Sequence, residues 1–119
     1  MNMAARQIII LIACAAFSLA ASGAELLYVY SSSCPSCMRF ERDVGRIYAK
    51  TEEAQRAPMI RLTIAELETH TLNACIGDEV VGTPTFIMLN QCEELDRIVG
   101  YSTDELFWLG MHRMLNQIP

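Results

Sequence analysis

The chain has 119 residues, with nine Lys or Arg against fourteen Asp or Glu and a net charge of −5. That balance argues against nucleic acid and anionic lipid as partners. The length bounds the fold at one small domain, without room for a second domain or a large cofactor cavity.

Residues 1–24 read as a secretory signal. Arg6 supplies the positive start, residues 8–21 are almost wholly apolar, and Ser22-Gly23-Ala24 offers the small residues a signal peptidase reads. The apolar run is shorter than the about 20 residues of a membrane span. Leu11-Ile12-Ala13-Cys14 resembles a lipobox, but the apolar residues after Cys14 favour a plain signal core over a lipid tether. Removal of residues 1–24 leaves a domain over 25–119, more acidic by the loss of Arg6, with Cys34, Cys37, Cys75 and Cys92. The expected compartment is the periplasm, with an uncleaved anchor or a lipoprotein as lesser alternatives. Four cysteines in an oxidising compartment permit two disulfides in three pairings.

Residues 25–30 form a continuous apolar run and read as a central strand covered on both faces. A helix is expected over residues 35–50, with Cys37, Phe40, Val44, Ile47 and Tyr48 inward and Arg39 paired with Asp43 on the wet side. Residues 51–57 are polar and read as a loop. Residues 59–64 alternate weakly as a second strand, parallel to the first through a right-handed crossover. A short helix over residues 65–75 turns Leu67, Leu72 and Cys75 inward. Residues 85–89 and 95–99 form an antiparallel hairpin, with Arg97 facing solvent. Ser102 is expected to cap the last helix, with Glu105 in the reciprocal capping-box position. Leu106, Phe107, Gly110, Met111, Met114 and Leu115 would pack that helix on the sheet.

Two stretches carry chemistry. In Cys34-Pro35-Ser36-Cys37, two cysteines lie where the first strand gives way to a helix. Free N–H groups at a helix start stabilise a thiolate, and such cysteines titrate at about 3.5–7.5 rather than about 8.5. Pro35 suits the first helical turn, where its missing N–H is harmless. Cys34 is the expected attacking sulfur and Cys37, one turn in, the resolving one; Pro35 and Ser36 support them. The second stretch is Gly82-Thr83-Pro84-Thr85-Phe86, where Pro84 takes the position just before a strand.

Together, the CxxC and the Thr83-Pro84 pair resemble the thioredoxin superfamily, in the small strand-helix-strand-helix-strand-strand-helix arrangement of glutaredoxins. The resemblance implies an α/β fold with a four-stranded mixed sheet in the order 2-1-3-4 and three helices. It also implies a cis peptide bond before Pro84, with the Thr83 backbone pairing with a substrate chain. Gly100 and Tyr101 would border the same site. Further matches, Thr83-Pro84-Thr85-Phe86, Arg97-Ile98-Val99-Gly100-Tyr101 and Asp104-Glu105-Leu106-Phe107-Trp108, are similar to the periplasmic thioredoxins of bacterial sulfur-oxidation (Sox) clusters. Those proteins are thought to reduce a cysteine on the sulfur-carrier protein of thiosulfate oxidation.

The resemblance therefore implies a thiol-disulfide oxidoreductase whose only redox group is a Cys34–Cys37 disulfide, with no other cofactor. It implies a monomer that acts on a cysteine-containing periplasmic protein and draws electrons from a membrane thiol-disulfide donor. A reductase is favoured over a disulfide oxidase or isomerase of the Dsb type, because Ser36 stands where strongly oxidising DsbA proteins have histidine. Thr83 also occurs before the proline of the isomerases, which keeps that activity open. The sequence departs from thioredoxin at Tyr28, where the buried Asp of that family stands, so the proton acceptor for Cys37 is unassigned. Cys75 and Cys92 form a second bridge or remain thiols. Two metal-binding alternatives are a zinc module on Cys34, Cys37, His70 and Cys75 and a copper site on Met111, His112 and Met114.

Overall fold

The structure is a computed structural model that describes residues 23–119. The signal and lipobox readings fall mainly on residues 1–22, outside the described residues. The first strand, β1 (Ala24–Tyr30), begins one residue before the expected domain boundary. It sits at the centre of a four-stranded sheet of order β2-β1-β3-β4. β2 (Met59–Thr63) lies parallel to it, and β3 (Thr85–Asn90) and β4 (Glu93–Val99) complete the sheet in antiparallel register. This is the expected topology.

Alternation along β1 divides the core into two layers, since successive strand side chains point to opposite faces. Leu26 and Tyr28 join Phe86 and Met88 beneath the first and last helices, whereas Leu27 and Val29 join Ile87 and Leu89 on the other face. The first helical run comprises α1 (Pro35–Phe40), a π-helical turn (Glu41–Gly45) and α2 (Arg46–Tyr48) without a break. The wider turn shifts the phase of the apolar stripe. Tyr48 is fully buried as expected, but Ile47 is 43% exposed. Asp43, expected to pair with Arg39, bonds instead to Arg42 and the hydroxyl of Tyr101.

Residues 51–57 are not a plain loop. Thr51 accepts the N–H of Ala54 and caps α3 (Glu52–Arg56), which has two glutamates in its first turn and Arg56 in its last. That charge order complements the helix dipole. The expected helix over 65–75 is divided at His70 into α4 (Ile64–Thr69) and a 3-10 turn (Thr71–Cys75), because His70 adopts extended backbone and its ring accepts the Leu72 N–H. The last helix is α5 (Asp104–Leu115), and its cap is Thr103, not Ser102; the Thr103 hydroxyl accepts the Leu106 N–H. Phe107, Met111, Met114 and Leu115 are buried as expected, and Leu106 is exposed. Gly110 is buried because the Ile98 side chain occupies the space a Cβ would take.

The connection from the 3-10 turn to β3 is fastened at its start. Cys75 and Cys92 form a disulfide with their Cα atoms 4.6 Å apart. Arg97, expected to face solvent, has a side chain only 18% exposed. Its guanidinium donates to both carboxylate oxygens of Glu94 at 2.7 Å and to the backbone carbonyl of Asp78 at 2.9 Å. Glu94 also accepts the Gly77 N–H at 2.9 Å.

The Arg97 hydrogen bonds, seconded by the Gly77 N–H, hold the Glu94 carboxyl below its ordinary range against the cost of burial. A depressed folded-state value stabilises the fold above the unfolded pKa of about 4.3 and ceases to do so as pH falls through the folded value. Glu94→Gln should therefore cost about 1–2 kcal/mol at pH 7. Thermal unfolding should show that deficit shrinking as the pH falls below the ordinary carboxylate range. A deficit independent of pH would refute the ionic origin.

Candidate functional site

Three connections leave the same end of the sheet. The register pairs Val29 with Thr85 and Thr85 with Val99, so the segment after β1, the approach to β3 and the exit from β4 are neighbours. They carry Cys34, Thr83-Pro84 and Gly100-Tyr101.

Cys34 is the N-cap of α1, in extended backbone, and Pro35 opens the first turn. The Cys37 N–H donates to the Cys34 sulfur at 3.1 Å, and the Ser36 hydroxyl lies 3.4 Å from it. Cys34 and Cys37 are joined as a disulfide, their Cα atoms 5.2 Å apart. Cys34 is 7% exposed and Cys37 3%. When the bridge is reduced, a thiolate on Cys34 gains these donors and the positive helix end, and both effects favour the charged form. Cys37 is the third residue of α1 and the more buried of the two.

The Thr83–Pro84 peptide bond is cis. Pro84 is buried, and Thr83 is half-buried at the surface end of the strand. The Gly100 N–H donates to the Pro84 carbonyl at 2.8 Å, joining the second and third connections. Gly100 has φ +87°, a conformation glycine adopts without the penalty of a side chain, and no atom lies within 4 Å of the place a Cβ would take. Tyr101 is buried, and its hydroxyl donates to Asp43 at 2.8 Å, tying the third connection to the cysteine-bearing helix. This bond is the main reason the Asp43 carboxyl sits below its ordinary value. Burial, and then Asp43, push the Tyr101 phenol upward. Sequence spacing paired Asp43 with Arg39 and so missed its bond to a residue 58 positions away.

A cleft of about 400 Å³ runs from Val99, Gly100 and Tyr101 to Leu106 and Phe107. A second, of about 480 Å³, opens beside Cys37, with Tyr28, Glu41 and Arg61 also in its wall. Met38, Val81 and Val99 are exposed apolar side chains next to the site segments.

The residues of the two metal alternatives do not converge. Cys75 is bonded to Cys92, His70 caps the 3-10 turn, and Met111 and Met114 are core. His112 lies on the surface beside Glu53 at 3.2 Å. Among the described residues no group of three or more His, Cys, Asp or Glu is placed to hold a metal ion, and no helix is long and apolar enough to cross a membrane.

No protein-family model and no curated protein matches the chain. Solved structures do. The reduced form of the periplasmic thioredoxin SoxS from Paracoccus pantotrophus is 26% identical with a TM-score of 0.70, over 81% of this chain and 99% of that one. The germline-specific thioredoxin Deadhead from Drosophila melanogaster is 20% identical with a TM-score of 0.59, over 76% and 81%. Thioredoxin from Aeropyrum pernix is 20% identical with a TM-score of 0.57, over 78% and 76%. With a bridged CxxC heading its first helix and these neighbours around it, the chain is a thiol-disulfide oxidoreductase of thioredoxin-like fold.

Proposed function

We propose that the protein is a periplasmic reductase that uses the Cys34-Pro35-Ser36-Cys37 dithiol to open a disulfide or blocked cysteine on a partner protein. The sulfur carrier of thiosulfate oxidation is the favoured partner. The observation that carries the reading is the place of Cys34: N-cap of α1, its sulfur accepting an N–H, at the sheet end that also presents Thr83, Pro84 and Gly100. The likeness to a periplasmic SoxS thioredoxin supports the compartment; the partner class follows from the resemblance of the sequence motifs to the Sox-cluster thioredoxins.

The Cys34 thiolate attacks the partner's sulfur and forms a mixed disulfide. The Thr83 backbone holds the partner chain as an added strand, Gly100 admits it closely, and Val81, Val99 and Met38 give it apolar contact. Cys37 then attacks Cys34 and frees the reduced partner. A membrane thiol-disulfide donor returns two electrons to the monomeric protein.

Cys37→Ser stops the cycle at the mixed disulfide. Expressed with its own export signal in a thiosulfate-oxidising host, this variant should accumulate a covalent adduct in the periplasm. Mass spectrometry should find the sulfur carrier joined to Cys34. Export failure, or adducts confined to disulfide-forming enzymes, would count against the reading.

A further inference from the structure

Resolution of the mixed disulfide needs Cys37 as a thiolate, yet nothing at Cys37 itself makes it acidic. The residue is nearly inaccessible, and its own N–H is turned to the Cys34 sulfur. Burial favours the protonated thiol. A group within reach must take the proton as the sulfur attacks.

The cleft beside Cys37 supplies one such group. Among the side chains lining it, Glu41 alone is a carboxylate. It stands four residues after Cys37 on the same helical run, and its backbone N–H donates to the Cys37 carbonyl. Arg61 on β2 holds the carboxylate at 3.0 and 3.4 Å and donates also to the Gly45 carbonyl at 3.0 Å. The carboxylate lies over Gly45, in the space a Cβ there would fill. The charged and titratable groups facing this corner are Arg61 from β2, Tyr28 and Tyr30 from β1, and Cys37. Tyr28 donates its hydroxyl to the Cys37 carbonyl at 3.5 Å, and burial, aided by the charge of Glu41, pushes its phenol well above its ordinary value. It stays protonated and is no base.

We propose that Glu41 is the proton acceptor for Cys37, acting through water in this cleft. The Cys37 S–H bond breaks and its proton passes to the Glu41 carboxylate. The Cys37 sulfur bonds to Cys34 as the bond from Cys34 to the partner sulfur breaks. The partner leaves as a thiolate carrying the electron pair and takes a proton from solvent; the cysteine pair is oxidised and the partner reduced. The Glu41 side chain is 42% exposed and returns its proton to bulk water. Arg61 is a positioning residue.

The inference rests on the assignment of Cys34 as the attacking sulfur, and one experiment separates the two. Protein reduced at Cys34–Cys37 with the Cys75–Cys92 bridge intact, mixed with dithiobis-nitrobenzoate, releases one coloured thiolate when Cys34 attacks and a second when Cys37 resolves the adduct. Glu41→Gln should leave the first phase unchanged and slow the second by on the order of 10²-fold at neutral pH. The slowed phase should then rise with hydroxide concentration. Glu41→Asp should restore part of the rate. Gly45→Ala, which displaces the carboxylate while favouring helix, should slow the second phase alone. An unchanged second phase in Glu41→Gln overturns the proposal, as does equal slowing of both phases. Absence of the first phase from the wild type overturns the assignment of Cys34, and the proposal with it.

Discussion

Cys34→Ser should lower catalysed reduction of a protein disulfide, such as insulin with dithiothreitol as donor, by about three orders of magnitude or more. A serine hydroxyl is not ionised at neutral pH and cannot form the mixed disulfide. The fold should survive, because the serine can still accept the Cys37 N–H that Cys34 accepts at the head of α1. Circular dichroism and thermal unfolding check that point. In the reduced wild type, alkylation followed across pH should place the Cys34 midpoint at or below about 7.5, with Cys37 reacting later and more slowly. An ordinary midpoint near about 8.5 would remove the role assigned to the helix end. Ser36→Ala tests a smaller part of the same argument, since it withdraws only the hydroxyl 3.4 Å from the sulfur.

Phe40→Ala should destabilise the protein by about 3–5 kcal/mol, the usual cost of emptying a buried aromatic site. Phe40 is fully buried, with ring centroids of Phe86 at 4.6 Å, Tyr28 at 4.8 Å, Phe107 at 5.1 Å and Tyr101 at 5.5 Å. Those rings belong to β3, β1, α5 and the third site connection. One side chain therefore seats the cysteine helix on everything that surrounds the site. Guanidinium unfolding would measure the loss, and the melting temperature should fall by roughly 15 °C or more. Ile47→Ala, on the same helical run but at an exposed position, should cost about 1 kcal/mol or less. Equal losses at the two positions would mean that the π-helical turn is not where the structure puts it.

That contrast marks what a sequence can and cannot disclose here. The strands, and the burial of the first on both faces, were legible because apolar runs and alternation report burial directly; their order came with the thioredoxin resemblance. The cysteine motif was legible because its spacing meets a strand-to-helix junction. The phase of the first helix beyond Phe40 was not, because a π-helical turn leaves the local composition unchanged, and Ile47 was misplaced for that reason. The helix α3 did carry a signal, in Thr51 followed by two glutamates and closed by Arg56, but five residues are too few for periodicity to emerge. Ser102 and Thr103 are both competent caps, and only backbone geometry chooses between them. Arg97 looked solvated because the backbone carbonyl of Asp78, which it reaches besides Glu94, comes from a connection that nothing in the hairpin's own pattern reveals. Glu41 was invisible as a candidate until Arg61 and Gly45 appeared beside it.

The bridge from Cys75 to Cys92 has a practical corollary for electrochemistry. Cys92 follows β3 at the end of the sheet remote from Cys34, so the chain contains two separate couples and can accept four electrons. A Nernst curve built by counting thiols would blend both couples into one apparent midpoint. Mass-resolved labelling of each cysteine would assign a potential to each couple, and only the Cys34–Cys37 value bears on which way electrons flow to the partner.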